Sequence, residues 1–412
     1  MKELLHLFLK IAAIMTESGA EISRVEASLS HMCRAYGVNS VSVYATTSNI
    51  IVTLEDKDGE VYTETRRPGA IGNNFTLLDR VNDLVRHISE TAPDAAEIRE
   101  AIGALPRKTW RWFVVAPAQG AISASFCLFF GSRSVTECLF AFLIGAFLCC
   151  LGRLFDRVEA NRLLKSFLLT FLASLAAFTV TRLGWVASPD FIIIGYIMNL
   201  IPGLGLTGAI RDLFVGDLFT GMVRILSAVL IAVSIAVGFI LNLLLFKGMP
   251  ASTPMAMPGW DQLLEIVAAT VGTVGFAYVF NTRGKKIFFA AFGGCLGWVL
   301  FLLLGLFMDS EILRYLIVSV LVSVYGEVMA RLLKTPTTLF SVVCLVPLVP
   351  GSGLYYTMTH ALNGNWEAFL DRGPTTLGLA AALSLGTVLV NTLAVYVKKI
   401  LARQKKHFTE KK

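Results

Sequence analysis

From Trp110 to about Val397 the chain is a succession of apolar runs separated by short polar stretches. The runs fall at about 112–130, 136–152, 164–181, 190–210, 223–245, 261–280, 287–306, 311–330, 337–358 and 375–397. Each is close to the roughly 20 residues that a helix needs to cross a bilayer, so the pattern predicts about ten transmembrane helices. The first 108 residues read differently. Ile22, Val25, Leu29 and Met32 recur at helical spacing until Gly37 ends the helix. Short strands follow over 41–46, 50–54 and 61–65, with a turn at Asp56–Gly59, and then amphipathic helices over 74–91 and 94–104. The opening run from Leu4 to Met15 is flanked or broken by Glu3, His6, Lys10 and Glu17 and lacks a small-residue cleavage site, so it belongs to this domain and is not a signal peptide.

Two of the runs carry an interruption at membrane depth. The first reads Asn199-Leu-Ile-Pro202-Gly203-Leu-Gly205-Leu-Thr-Gly208, and the second Pro347-Leu-Val-Pro350-Gly351-Ser-Gly353-Leu354-Tyr355-Tyr356. Proline removes a backbone donor and glycine loosens the helix around it. Unwound backbone at that depth is tolerated where it is buried in protein or lines a wet cavity, and paired broken segments point to a transporter's binding site. The pair belongs to a longer repeat. Phe140–Gly145 resembles Phe289–Gly294, Thr181-Arg182-Leu183 matches Ala330-Arg331-Leu332, and Gly238 matches Gly386, all at offsets of about 148–149 positions. Each copy holds about five spans. An odd number turns the second copy upside-down, giving an inverted repeat.

Charge sets the orientation. Arg107, Lys108 and Arg111, then Arg153, Arg157, Arg162 and Lys165, then Arg211 and Arg224, then Arg283, Lys285 and Lys286, then Arg331 and Lys334, and the Lys398–Lys412 tail all fall on one side. The other side holds little more than Arg133, Arg182, Lys247, Arg314 and Arg372. By the positive-inside rule both termini are cytosolic. The expected organisation is a cytosolic α+β domain at 1–108, a first five-helix repeat at 109–247 and an outer-face linker at 248–259. A second five-helix repeat at 260–400 and a basic cytosolic tail at 401–412 complete it. Composition agrees: 55% of residues are hydrophobic, 16% are charged and mean hydropathy is +0.67, whereas a soluble domain carries about 25% charged residues. The net charge of +7 is accounted for by the loops beside the spans, which removes nucleic acid as a partner. The seven cysteines show no CxxC or Cys/His spacing, and no Walker-type or HExxH motif occurs, so no metal, cofactor or ATP site is expected.

The chemistry is therefore sought in the spans. Asn199, Pro202, Gly203 and Gly205, with Pro350, Gly351, Gly353, Tyr355 and Asn391, are the candidates for binding a small polar substrate. Asn242, Gln119, Ser123 and Ser125 suit interhelical hydrogen bonds as well as a pathway. For each, the alternative is a kink or contact used only for packing. Asp212, Asp217 and Glu327 are candidates for carrying a coupling proton, the alternative being interfacial carboxylates paired with Arg211, Arg224 or Arg331. In the soluble domain, Glu17, Ser18, Gly19, Glu21, Arg24 and Glu26 cluster around a helix break. They read as a capped helix start more readily than as a gate or a hydrolytic site, because no His or Cys nucleophile accompanies them.

The Glu17-Ser-Gly-Ala-Glu-Ile-Ser-Arg24-Val-Glu26 segment resembles the signature of the threonine/serine exporter family. So do Ile201-Pro-Gly203 with Asp212 and Gly216-Asp217, and Pro347-Leu-Val-Pro-Gly351. The resemblance covers essentially the whole chain. It implies a cytosolic N-terminal domain, about ten spans, and proton-driven export of threonine and serine across the bacterial cytoplasmic membrane. A two-chain relative in that family exports succinate, with one chain similar to residues 1–245, so the resemblance leaves dicarboxylates open. The expected protein is a polytopic α-helical membrane antiporter whose partners are a small-molecule substrate, the lipid bilayer and protons; a homo-oligomer is compatible with it. It is not an enzyme. The rival is a membrane-embedded hydrolase or sensor, which would need neither the ten spans nor the duplicated break.

Overall fold

The computed structural model describes residues 1–106, 108–158, 161–246 and 260–410. The expected linker at 248–259, Arg107 and the last two residues of the basic tail lie outside them. The described chain divides into two compact units. One is Met1–Trp110 with Phe280–Gly284 and Ala330–Leu339; the other is Arg111–Val279, Lys285–Met329 and Phe340–Lys412.

The first unit is built on α1 (Lys2–Glu17). Its Leu5, Phe8, Leu9, Ile11 and Met15 are all buried, so the helix is wrapped on nearly every side. Glu3 and His6 stay exposed near its N-terminal end, and each of the buried side chains contributes about 1.5–3 kcal/mol on burial. Around it lie α2 (Ile22–Ala35), an antiparallel meander β1 (Ser40–Ala45), β2 (Ile50–Glu55) and β3 (Val61–Arg66), then α3 (Phe75–Thr91) and α4 (Ala95–Ala104). The β2–β3 turn forms because the Asp56 carboxylate accepts from the backbone N–H groups of Asp58 and Glu60 at 3.0 and 3.1 Å, while Gly59 takes the left-handed conformation. The strand limits agree with the sequence pattern to within a residue.

The second unit is helical throughout. Its order is α5 (Trp112–Phe129), α6 (Val135–Arg157), α7 (Arg162–Arg182), α8 (Asp190–Ile197), α9 (Gly203–Val215) and α10 (Leu218–Leu245). Then come α11 (Trp260–Val279), α12 (Lys285–Gly305), α13 (Glu311–Leu332), α14 (Thr337–Leu345), a single 3-10 turn at Val346–Leu348, α15 (Gly351–Leu362) and α16 (Trp366–Glu410). Three long helices, two short halves and one long helix thus occur twice in the same order. Among the described residues eight helices are long and apolar enough to cross a membrane, and α14 with α15, bent by 53°, makes a ninth. The α8–α9 pair holds the equivalent place in the first half. Its break of five residues makes it the most interrupted of the ten expected spans. The chain is a polytopic α-helical membrane protein.

Glycine positions that match between the halves do matching work. A Cβ at Gly238 of α10 would lie 2.6 Å from the Phe167 carbonyl oxygen of α7, and one at Gly386 of α16 would lie 1.8 Å from Ser319 Oγ of α13. Close backbone approach at small residues is how membrane helices pack without a hydrophobic drive between them.

Candidate functional site

The local sequence explains both breaks. In the first, Pro202 cannot donate to the turn before it, and α9 begins afresh at Gly203 with Pro202 as its N-cap. In the second, Pro347 sits in the 3-10 turn and Pro350 caps α15, which starts at Gly351. The first N–H groups of a helix have no acceptor inside it. Both helices therefore start on Gly-Xaa-Gly segments, Gly203–Gly205 and Gly351–Gly353, where two of three residues carry no side chain; the Gly351 N–H itself donates to the Val349 carbonyl at 2.7 Å.

The structure brings these two starts together. A Cβ on Gly203 would sit 2.3 Å from Val349 Cγ1 and 3.6 Å from the Gly351 Cα; one on Gly351 would sit 3.1 Å from Ile201 Cγ2 and 3.2 Å from Met198 Cε. The breaks are in van der Waals contact, and two helix N-termini converge on that point. Behind them, Ser384 Oγ of α16 donates to the Thr207 carbonyl of α9 at 2.7 Å, which ties the second repeat's last helix to the first repeat's broken one.

The other candidates separate. Asn199 turns its amide toward α5, where Nδ2 donates to Ser123 Oγ at 2.9 Å and to the Gln119 carbonyl at 3.4 Å. Asn199, Gln119 and Ser123 thus form one polar cluster beside the first break. Gly205 faces open space apart from Pro202 Cβ at 3.6 Å, whereas a Cβ on Gly353 would strike Thr376 Oγ1 at 2.5 Å. Tyr355 is buried against Phe239, and Tyr356 lies beneath the Arg372 guanidinium. Ser125 is buried and donates to the Ile122 carbonyl of its own helix. Asn242 is fully buried and donates to Ser174 Oγ and the Phe171 carbonyl, joining α10 to α7. Asn391 is not brought to the break: it stands 15 positions beyond Thr376 on α16, a rise of about 22 Å.

Among the carboxylates, Asp212 is paired with Arg224 at 2.5 Å and lies 3.6 Å from Arg211. Asp217 caps α10 by accepting from the Thr220 N–H at 3.2 Å, and Glu327 is buried within α13.

The cluster at the α1–α2 break is a clamp. Glu17 accepts from the Gly69 N–H at 2.7 Å, the Ser18 carbonyl accepts from Asn74, and Gly19 takes φ +93° against Asn73. Glu21 occupies the N-cap position of α2, Arg24 donates to Asn82 on α3 at 2.6 Å, and Glu26 accepts from the Ala45 N–H that ends β1 at 2.9 Å. The same unit contains a contact that the sequence did not suggest. Asn281, in the α11–α12 loop, accepts from the Trp110 N–H at 3.1 Å and donates to Asn74, the cap of α3, at 2.6 Å. Its side chain is buried and its backbone is left-handed. Only the Asn-Thr-Arg-Gly turn chemistry could have marked it. Outside the spans, burial pushes the Cys33 thiol up to about 11, and it raises the Tyr36 hydroxyl as well, with Glu97 and Asp94 adding to the effect. Among the described residues no group of three metal-ligating side chains occurs. A groove of about 460 Å³, lined by Leu163, Leu164, Phe167, Val233 and Val237 with Asn161 and Ser234, lies on the α7–α10 face and not at the breaks.

Two family models of the threonine/serine exporter ThrE match the chain, one over residues 6–246 and the other over 265–393. The "Threonine/serine exporter" of Corynebacterium glutamicum is 22% identical over 408 residues, covering 95% of this chain and 82% of that protein. The "Probable threonine/serine exporter" of Mycobacterium tuberculosis is 21% identical, covering 95% and 77%. The "Probable succinate transporter subunit YjjP" of Klebsiella aerogenes is 24% identical, covering 62% of this chain and 95% of that one. No solved structure matches.

Proposed function

Because the chain belongs to the threonine/serine exporter family, we propose that it is a secondary exporter of threonine and serine driven by the proton motive force, and not an enzyme. The observation that carries the substrate reading is the meeting of two Gly-Xaa-Gly helix starts, at Gly203 and Gly351. Backbone donors at the positive ends of two helices suit a carboxylate, which threonine, serine and succinate all carry. The Asn199–Gln119–Ser123 cluster offers hydroxyl- and ammonium-compatible oxygens beside one of them. Contact between the breaks describes a closed site that must part for substrate to pass. Asp212, Asp217 and Glu327 remain the proton candidates carried by this reading. Asp212 is already committed to arginine, and Asp217 to a helix cap.

The topology belongs to the same proposal: both termini cytosolic, residues 1–108 a cytosolic domain, and the two halves inverted in the membrane. Head-to-head contact between α9 and α15 supports inversion, since copies related by an axis in the membrane plane present equivalent helix starts to one another. Succinate is kept as a second substrate reading by the YjjP relative. The test is flux from proteoliposomes loaded with radiolabelled L-threonine, L-serine or succinate, with acid on the side opposite the substrate. Threonine and serine efflux accelerated by the gradient is expected. Succinate efflux alone would move the protein to the dicarboxylate reading, and no gradient effect would remove the proton coupling.

A further inference from the structure

Glu265 stands in the second turn of α11, inside a candidate membrane span, and among the described residues no cation lies within 4.0 Å of it. An ionisable group at that depth is costly unless function retains it. Its Oε2 accepts from Trp298 Nε1 of α12 at 3.2 Å. The indole is itself fixed between Phe129, with ring centroids 4.5 Å apart, and Phe301, at 5.0 Å. One donor on one oxygen leaves Oε1 as the point of protonation, and the side chain is only half-buried, so water can reach it. The charged groups facing it are Arg133, from the α5–α6 turn, and Asp261, one turn earlier on its own helix. They are spent on each other: Arg133 Nε donates to Asp261 Oδ1 at 2.8 Å, and its Nη1 donates to the Leu128 and Ser132 carbonyls at 3.0 and 2.8 Å. From α12 the indole is the facing polar group.

We infer that Glu265 is the proton-binding group at the outer mouth of the transporter, with Trp298 as its positioning residue. The inference rests on the proton-coupled reading and on the topology that puts the α5–α6 turn outside. A proton from the outer solution binds Oε1 and neutralises the side chain, and the same proton leaves to the inner side as one substrate molecule moves out. Neutralisation removes a carboxylate charge between α11 and α12. That change can bias the α11–α12 pair between arrangements facing outside and inside, because the indole N–H can donate to either protonation state of the carboxyl group.

The test uses the full chain in liposomes and two readouts. In flux, Glu265→Gln should retain exchange of internal for external radiolabelled L-threonine and lose its acceleration by a pH gradient, by about tenfold or more. In pH-difference infrared spectra, which need no substrate, wild-type protein should show a carboxyl band that Glu265→Gln lacks. Trp298→Phe keeps the ring stack and deletes the N–H; it should move the band's midpoint up by about one pH unit, since a donor to a carboxylate favours the charged form. Gradient drive retained in Glu265→Gln, exchange lost together with drive, or an unchanged infrared spectrum would each overturn the assignment. Wild-type flux with no gradient effect would instead contradict the proton-coupled reading, while the infrared comparison would still judge Glu265.

Discussion

At the scale of single residues, the first break makes opposite demands on its two neighbouring glycines. Gly203 has Val349 Cγ1 where a Cβ would be, whereas Gly205 has only Pro202 Cβ at an ordinary distance. Gly203→Leu should therefore abolish threonine flux while Gly205→Ala leaves it within about twofold, because alanine costs nothing sterically there and gains about 0.5–1 kcal/mol of helix stability. Flux per inserted molecule, with thermal unfolding alongside, reads both effects; equal behaviour of the two variants would show that the contact does not matter. Gly19 is a different case, since its φ of +93° is itself adverse to a side chain. Gly19→Ala should lower the stability of the first unit by about 1–2 kcal/mol. Cys33 lies in the same unit, and burial holds its thiol at about 11. The thiolate is the reacting form and is scarce below that value, so alkylation of native protein should be slow at pH 8 and rise toward pH 11. Fast modification at pH 8, followed by mass spectrometry, would show that the site opens.

At the scale of elements, much was legible and the failures have physical causes. The strands were found because each alternates between faces and is bounded by turn chemistry, as at Asp56–Gly59. The breaks were found because proline and glycine act on the backbone of their own segment. What sequence could not supply was contact across distance. Asn199 is legible as a polar group at the break, but the meeting of its amide with Ser123, 76 positions away, is not. Glu265 sits at the edge of an apolar run, where a carboxylate reads as interfacial, and only Trp298 on the next helix marks it. Asp212 resolves as part of an ion pair that joins α9 to α10. Asp212→Asn leaves Arg224 partly buried without its carboxylate and should cost about 3–5 kcal/mol. Thermal unfolding of the purified variant measures it, and a loss below 1 kcal/mol would make Asp212 available for another role.

At the scale of the whole molecule, the duplicated order of helices, the matched close contacts at Gly238 and Gly386, and the facing starts at Gly203 and Gly351 belong to one design. The orientation proposed for it makes the exposed Lys285 cytosolic. Lys285→Cys, as the single cysteine, should react with a membrane-impermeant maleimide only after the cells are opened; reaction in intact cells would reverse the topology and the place assigned to Glu265. The central claim, that the two breaks form the substrate site, is tested most directly at Ser352, a half-buried residue in the second turn-start beside Gly351. With the seven native cysteines replaced, Ser352→Cys should react more slowly with a small thiol reagent when L-threonine saturates transport, and should be unaffected by an amino acid that is not transported. A reaction rate that is the same with and without saturating threonine, in protein that still exports it, would place the substrate elsewhere.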